Sequence, residues 1–137
     1  MQSQVSSDSR PTIYVTADEY DALSALALSA EHRHPRSAAM LLAELDRAEL
    51  CDAADLPPQT VRMNSSVEFV DEESGVRRTV QLVYPHDADI EAGRISILTP
   101  IGAGLIGMSA GNAISWPDRK GHVRSLKIVS VIPPDRD

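Results

Sequence analysis

The sequence predicts an α+β protein: an antiparallel two-helix hairpin followed by an antiparallel β-sheet domain with one short helix. Three observations predict it. Apolar residues change from helical spacing to strict alternation near Val61. A polar run, EHRHPR at residues 31–36, separates two Leu/Ala-rich helical patterns. Residues 93–116, GRISILTPIGAGLIGMSAGNAISW, read as strand, short helix, turn and strand, and form the least polar and most glycine-rich part of the chain.

Residues 1–11 are rich in Ser and Gln, lack periodicity and read as a flexible tail, with a short extended lead-in to Val15. The hairpin then occupies residues 12–56. Thr16 followed by Glu19 is a capping-box spacing, so the first helix is expected over 17–30, with Tyr20, Leu23, Ala27 and Ala30 on one stripe. Pro35 disfavours helix at His34, which makes 31–36 the hairpin tip. Ser37 is the expected N-cap of a second helix over 38–54, whose stripe is Leu41, Leu45, Ala48 and Cys51; Pro57 and Pro58 close it. Helices of roughly 14–17 residues would reach about 21–25 Å.

The sheet domain is expected over 61–137. Residues 66–70 alternate, with Val67 and Phe69 on one face; Ser74-Gly75 marks a hairpin turn; residues 77–84 alternate again. Residues 85–93 form a polar loop. Ile95 and Ile97 then alternate as a strand. Thr99 suits an N-cap and Pro100 the first helical position, so a short helix is expected over 101–108. Gly102, Gly104 and Gly107 weaken that helix by about 1 kcal/mol each relative to Ala, so it needs packing against the sheet. Gly111-Asn112 turns the chain into a strand at 113–116, residues 117–121 make a last turn, and 123–131 close the sheet.

Of the 137 residues 42% are apolar, which suits a soluble globular protein, and only 4% are aromatic, so the core must be aliphatic. The net charge is −7, unevenly spread: residues 1–60 carry 4 basic and 10 acidic groups, residues 61–137 carry 9 and 10. Acidic surface repels phosphates, so direct specific DNA binding is not expected, and a protein partner is. Cys51 is the single cysteine, and no apolar run has the length of a signal peptide or membrane span. A cytoplasmic, monomeric protein with no membrane contact is expected.

No catalytic constellation stands out. His32 and His34 beside Glu31 are too few for a closed zinc site. Asp87, Asp89 and Glu91 lack the glycine and terminal Glu of a calcium loop. The glycines at 102, 104 and 107 fit neither nucleotide fingerprint, and Ser109 has no nearby His. No metal or cofactor is expected.

Residues 93–114, GRISILTPIGAGLIGMSAGNAI, resemble the C-terminal domain of the Gre transcription elongation factors. AELDRAELC (43–51), MNSSVEF (63–69) and LVYP (82–85) resemble a narrower group, the regulator of nucleoside diphosphate kinase family, short relatives of the Gre factors. The resemblance covers residues 10–131. It implies an FKBP-like C-terminal domain, an N-terminal antiparallel coiled coil, and binding to bacterial RNA polymerase at the secondary channel. Leu98, Thr99, Pro100 and Ile101 correspond to the Gre segment that grips the channel rim. The tip, Glu31, His32, Arg33 and His34, corresponds to the Gre coiled-coil tip, where paired acids hold a magnesium ion that drives transcript cleavage. A single carboxylate among cations is a poor magnesium site, and the hairpin is shorter. A non-enzymatic regulator that competes with Gre-type factors is therefore expected; the alternatives are a cleavage factor using Glu31, or a prolyl isomerase suggested by the FKBP-like fold alone.

Overall fold

The computed structural model describes residues 12–117, 120 and 122–134. The tail at 1–11 lies outside the described residues, as do positions 118, 119 and 121 of the last turn.

The chain enters through β1 (Tyr14–Thr16), which runs directly into α1 (Ala17–Ser29). The Thr16 hydroxyl accepts from the Glu19 N–H at 3.2 Å, as an N-cap should. The reciprocal arm of the capping box is not made: the Glu19 carboxylate turns instead toward Met63 and Arg62. After the turn at 30–34, α2 (Pro35–Asp46) starts earlier than expected. Pro35 takes the first helical position, where its fixed φ and missing N–H cost nothing, and Ser37 lies inside the helix rather than capping it.

The same helix also stops short of residue 54. β2 (Glu49–Cys51) pairs in parallel with β1, Tyr14 opposite Glu49 and Thr16 opposite Cys51. Local spacing favoured a continued helix; pairing with a strand more than thirty residues upstream won. Cys51 is accordingly a half-buried strand residue, not part of a helical stripe. At 13 and 12 residues the helices span about 20 and 18 Å.

The main sheet has the order β5-β4-β3-β7-β6. β3 (Ser66–Asp71) and β4 (Arg77–Val83) form the expected hairpin, with Gly75 at φ +77° in its turn. β7 (Val123–Ile132) lies between β3 and β6 (Ala113–Pro117), antiparallel to both, so it is interior and does not close an edge. β5 (Arg94–Ser96) runs parallel to β4, Gln81 opposite Arg94. The sheet is therefore mixed, not wholly antiparallel: the loop after β4 carries the chain back along that strand before β5 begins.

α3 covers Pro100–Leu105, shorter than the expected 101–108. The chain turns extended at Ile106, and Gly107 adopts φ +78°. A Cβ on Gly107 would lie 2.8 Å from the Ile13 Cβ, so only glycine lets β1 pass this close. The Tyr14 N–H donates to the Gly107 carbonyl at 3.1 Å across that contact.

One apolar core runs through both parts of the chain. Leu23, Ala27, Leu41 and Leu45 of the hairpin belong to the same buried cluster as Val61, Met63, Val67, Phe69, Leu82, Leu105 and Ile128. α2 packs on α3, and Ala103 and Leu105 of α3 lie in the same buried cluster as Leu41 and Leu45 of α2. Each fully buried aliphatic side chain contributes about 1.5–3 kcal/mol.

Candidate functional site

The expected docking segment forms a rigid corner between β5 and α3. The Ser96 hydroxyl accepts from the Leu98 N–H at 2.9 Å, and the Ile97 N–H donates to the Val83 carbonyl at 2.9 Å. The Thr99 hydroxyl donates to the Ser96 carbonyl at 2.7 Å and accepts from the Gly102 N–H at 3.0 Å. Both ends of the corner are thus tied by one side chain. A Cβ at Gly102 would collide with the Ser96 carbonyl and the Ile97 backbone, so this glycine is what lets α3 sit against the strand that precedes it. Leu98 is buried, Thr99 and Ile101 are half-buried, and Pro100 is exposed at the crest.

Ile101 also lines a cleft of about 440 Å³ with Phe69, Val80, Ile95 and Leu126, rimmed by Asp71 and Arg78. Of the aromatic residues that an isomerase pocket would need, Phe69 lines this cleft, whereas Tyr84 does not and lies within reach of the Glu19 charge.

Residues 31–34 are all exposed. The turn is held by its backbone, the His34 N–H donating to the Ala30 carbonyl at 2.8 Å. Among the described residues, no group of three or more His, Cys, Asp or Glu is placed to hold a metal ion. No hydrogen bond or ion pair among the described residues joins the tip to the Leu98–Ile101 corner.

The acidic loop at 85–93 is internally occupied. The Asp89 carboxylate accepts from the Ala92 N–H at 3.4 Å and pairs with Arg94 at 3.6 Å, while the Arg94 Nε donates to the Asp87 carbonyl at 3.1 Å. Ser109 is a turn residue: its N–H donates to the Asn112 side-chain oxygen at 2.9 Å, which explains why Asn serves this turn.

A polar cluster that the sequence reading missed sits where the hairpin meets the sheet domain. The Glu19 carboxylate accepts from the Met63 N–H at 3.3 Å and faces the Arg62 Nε at 3.6 Å. Burial raises the Glu19 carboxyl above its ordinary value of 4.5, opposed by the Arg62 charge and the Met63 N–H. Tyr84, at the end of β4, is raised too, first by burial and then by the Glu19 charge. The Thr16–Glu19 spacing marked Glu19 as a cap, but nothing local marks a partner 43 positions away.

A helical pair set on a sheet with a Thr-Pro corner is the fold of the transcription elongation factors with which comparison groups this chain. Residues 56–133 match the family model "Transcription elongation factor, GreA/GreB, C-term", and residues 11–50 match "Rnk N-terminus". Transcription elongation factor GreA of Acidiphilium cryptum is 36% identical, over 91% of this chain and 84% of its own length. The regulator of nucleoside diphosphate kinase of Escherichia coli is 32% identical, over 90% of each chain. A solved GreA/GreB elongation factor from Nitrosomonas europaea superposes with a TM-score of 0.73 at 37% identity, covering 90% of this chain and 100% of its own. The chain belongs to the GreA/GreB family, in its regulator of nucleoside diphosphate kinase branch. No helix among the described residues is long and apolar enough to cross a membrane.

Proposed function

We propose that this protein is a non-enzymatic, cytoplasmic transcription regulator that binds bacterial RNA polymerase at the secondary channel as a monomer and competes there with Gre-type factors. Residues 61–137 are the docking module, with Leu98, Thr99, Pro100 and Ile101 at the contact. Residues 12–56 are a short finger that occupies the channel mouth.

The observation that carries this reading is the pairing of an intact Gre-type corner with an altered tip. The corner is pre-organised by Thr99 and Gly102 and presents Pro100 outward. The tip presents one carboxylate, Glu31, beside His32, Arg33 and His34. Magnesium is held by one or two carboxylates with waters and other oxygens, and the charge of Arg33 beside Glu31 opposes a cation there. Docking is therefore retained while transcript cleavage is lost.

Competition binding against a Gre factor on core polymerase tests the reading. The protein is expected to displace the Gre factor and to release no short RNA from backtracked complexes. Absence of displacement removes the docking reading; release of RNA replaces the regulator with a cleavage factor. Pro100→Ala is expected to weaken displacement by about tenfold, since losing one buried contact of about 1.4 kcal/mol has that effect.

A further inference from the structure

The hairpin is attached to the sheet domain in three places, and they differ in kind. β1 reaches the sheet domain through the Tyr14–Gly107 hydrogen bond, which fixes where α1 begins. α2 rests on α3 through the shared apolar core, which includes Leu41, Leu45, Ala103 and Leu105. The third is the Glu19 cluster, one turn into α1, and it is directional because ion pairs and hydrogen bonds depend on orientation.

Its sheet-domain half is rigid. The Val61 N–H donates to the Met108 carbonyl at 2.7 Å, and the Gly107 N–H donates to the Val61 carbonyl at 2.9 Å. The Arg62 N–H donates to the Ser65 hydroxyl at 3.0 Å, and the Asn64 N–H, in a turn with φ +70°, donates to the Leu82 carbonyl at 2.6 Å. Arg62 is thus mounted on a segment stitched to both β4 and the end of α3. Its Nε is buried and makes no hydrogen bond among the described residues, and the Glu19 carboxylate lies 3.6 Å from it.

We infer that Glu19 and Arg62 form the joint that sets the direction in which α1 and α2 leave the sheet domain. The functional consequence, that this joint aims residues 31–34 once the Leu98–Ile101 corner is docked, rests on the reading above. Burial disfavours the charged Glu19 carboxylate more than Arg62 and the Met63 N–H favour it. The contacts themselves tie the first turn of α1 to a fixed segment of the sheet domain, which is a geometric role.

The test uses the free full chain, so that it stands apart from polymerase binding. Cys51→Ser with Leu28→Cys on α1 and Lys127→Cys on β7 accepts a spin label on each part. Pulsed dipolar spectroscopy is expected to give one narrow distance distribution. Glu19→Ala and Arg62→Ala should each broaden or displace it beyond the parent's width, with unchanged circular dichroism, and the exchanged pair Glu19→Arg/Arg62→Glu should narrow it again. Should an alanine variant fail to fold, Glu19→Gln, which keeps an acceptor for Met63 but no charge, and Arg62→Gln replace them, with the same displacement expected. An unchanged distribution in folded variants, or a broad one in the parent, overturns the joint. A displaced distribution together with unaltered Gre competition upholds the joint and removes the aiming role.

Discussion

Glu19 shows how one residue can satisfy a local rule and be used elsewhere. Its N–H completes the Thr16 cap, while its carboxylate leaves the helix end for Arg62 and Met63. That choice has a measurable sign. The folded carboxyl lies above the ordinary 4.5, so between those two values the folded state holds more protons than the unfolded one. The Glu19 contribution is fully present below the ordinary value and is lost as pH rises through the folded value. Urea midpoints of the parent, relative to Glu19→Gln, should therefore fall as pH rises above 4.5, since groups common to both cancel. A rise of the parent over the variant in that range would mean that Arg62 outweighs burial. The Thr99 side chain is the simpler case: both of its roles, cap and carbonyl donor, follow from the Thr-Pro step that was visible in the sequence.

Elements were legible where local chemistry decides them. α1 begins at its Thr cap, α3 at its Thr-Pro step, and β3 and β4 follow their alternation and the Ser74-Gly75 turn. The misses share a cause. β2, the early end of α2 and the parallel placement of β5 are each fixed by a partner distant in sequence, and apolar spacing carries no record of partners. The Thr99–Pro100 corner was therefore readable and the contact of Glu19 with Arg62 and Met63 was not. The glycines of 93–116 divide the same way. As helix residues they look alike, yet the packing separates them. A Cβ at Gly102 meets backbone at Ser96 and Ile97, whereas one at Gly104 meets the Ile114 Cδ1 at 3.4 Å, the end of a movable side chain. Gly102→Ala should lower stability by about 1–3 kcal/mol through overpacking against backbone that cannot yield. Gly104→Ala should be neutral or stabilising by up to about 1 kcal/mol through helix propensity. Chemical denaturation of the two variants distinguishes these outcomes; equal losses would mean that α3 tolerates no side chain on either face.

The molecule as a whole is built so that the helical hairpin and the sheet domain share one interior. Leu23, Leu41 and Leu45 from the hairpin and Leu82, Leu105 and Ile128 from the sheet domain lie in one buried cluster. Helices of 13 and 12 residues are marginal by themselves, because short helices take most of their stability from a packed apolar face. The hairpin cannot then fold ahead of the sheet, with which it shares one buried cluster. Leu41, fully buried on α2, is the place to read this coupling. Leu41→Ala should cost about 2–5 kcal/mol, the range for opening a cavity in an aliphatic core. That cost should shift the helical circular dichroism and the exchange protection of β3 and β7 amides together, in one transition. If the helical signal were lost at lower denaturant while the sheet amides stayed protected, the hairpin would be a separate folding unit.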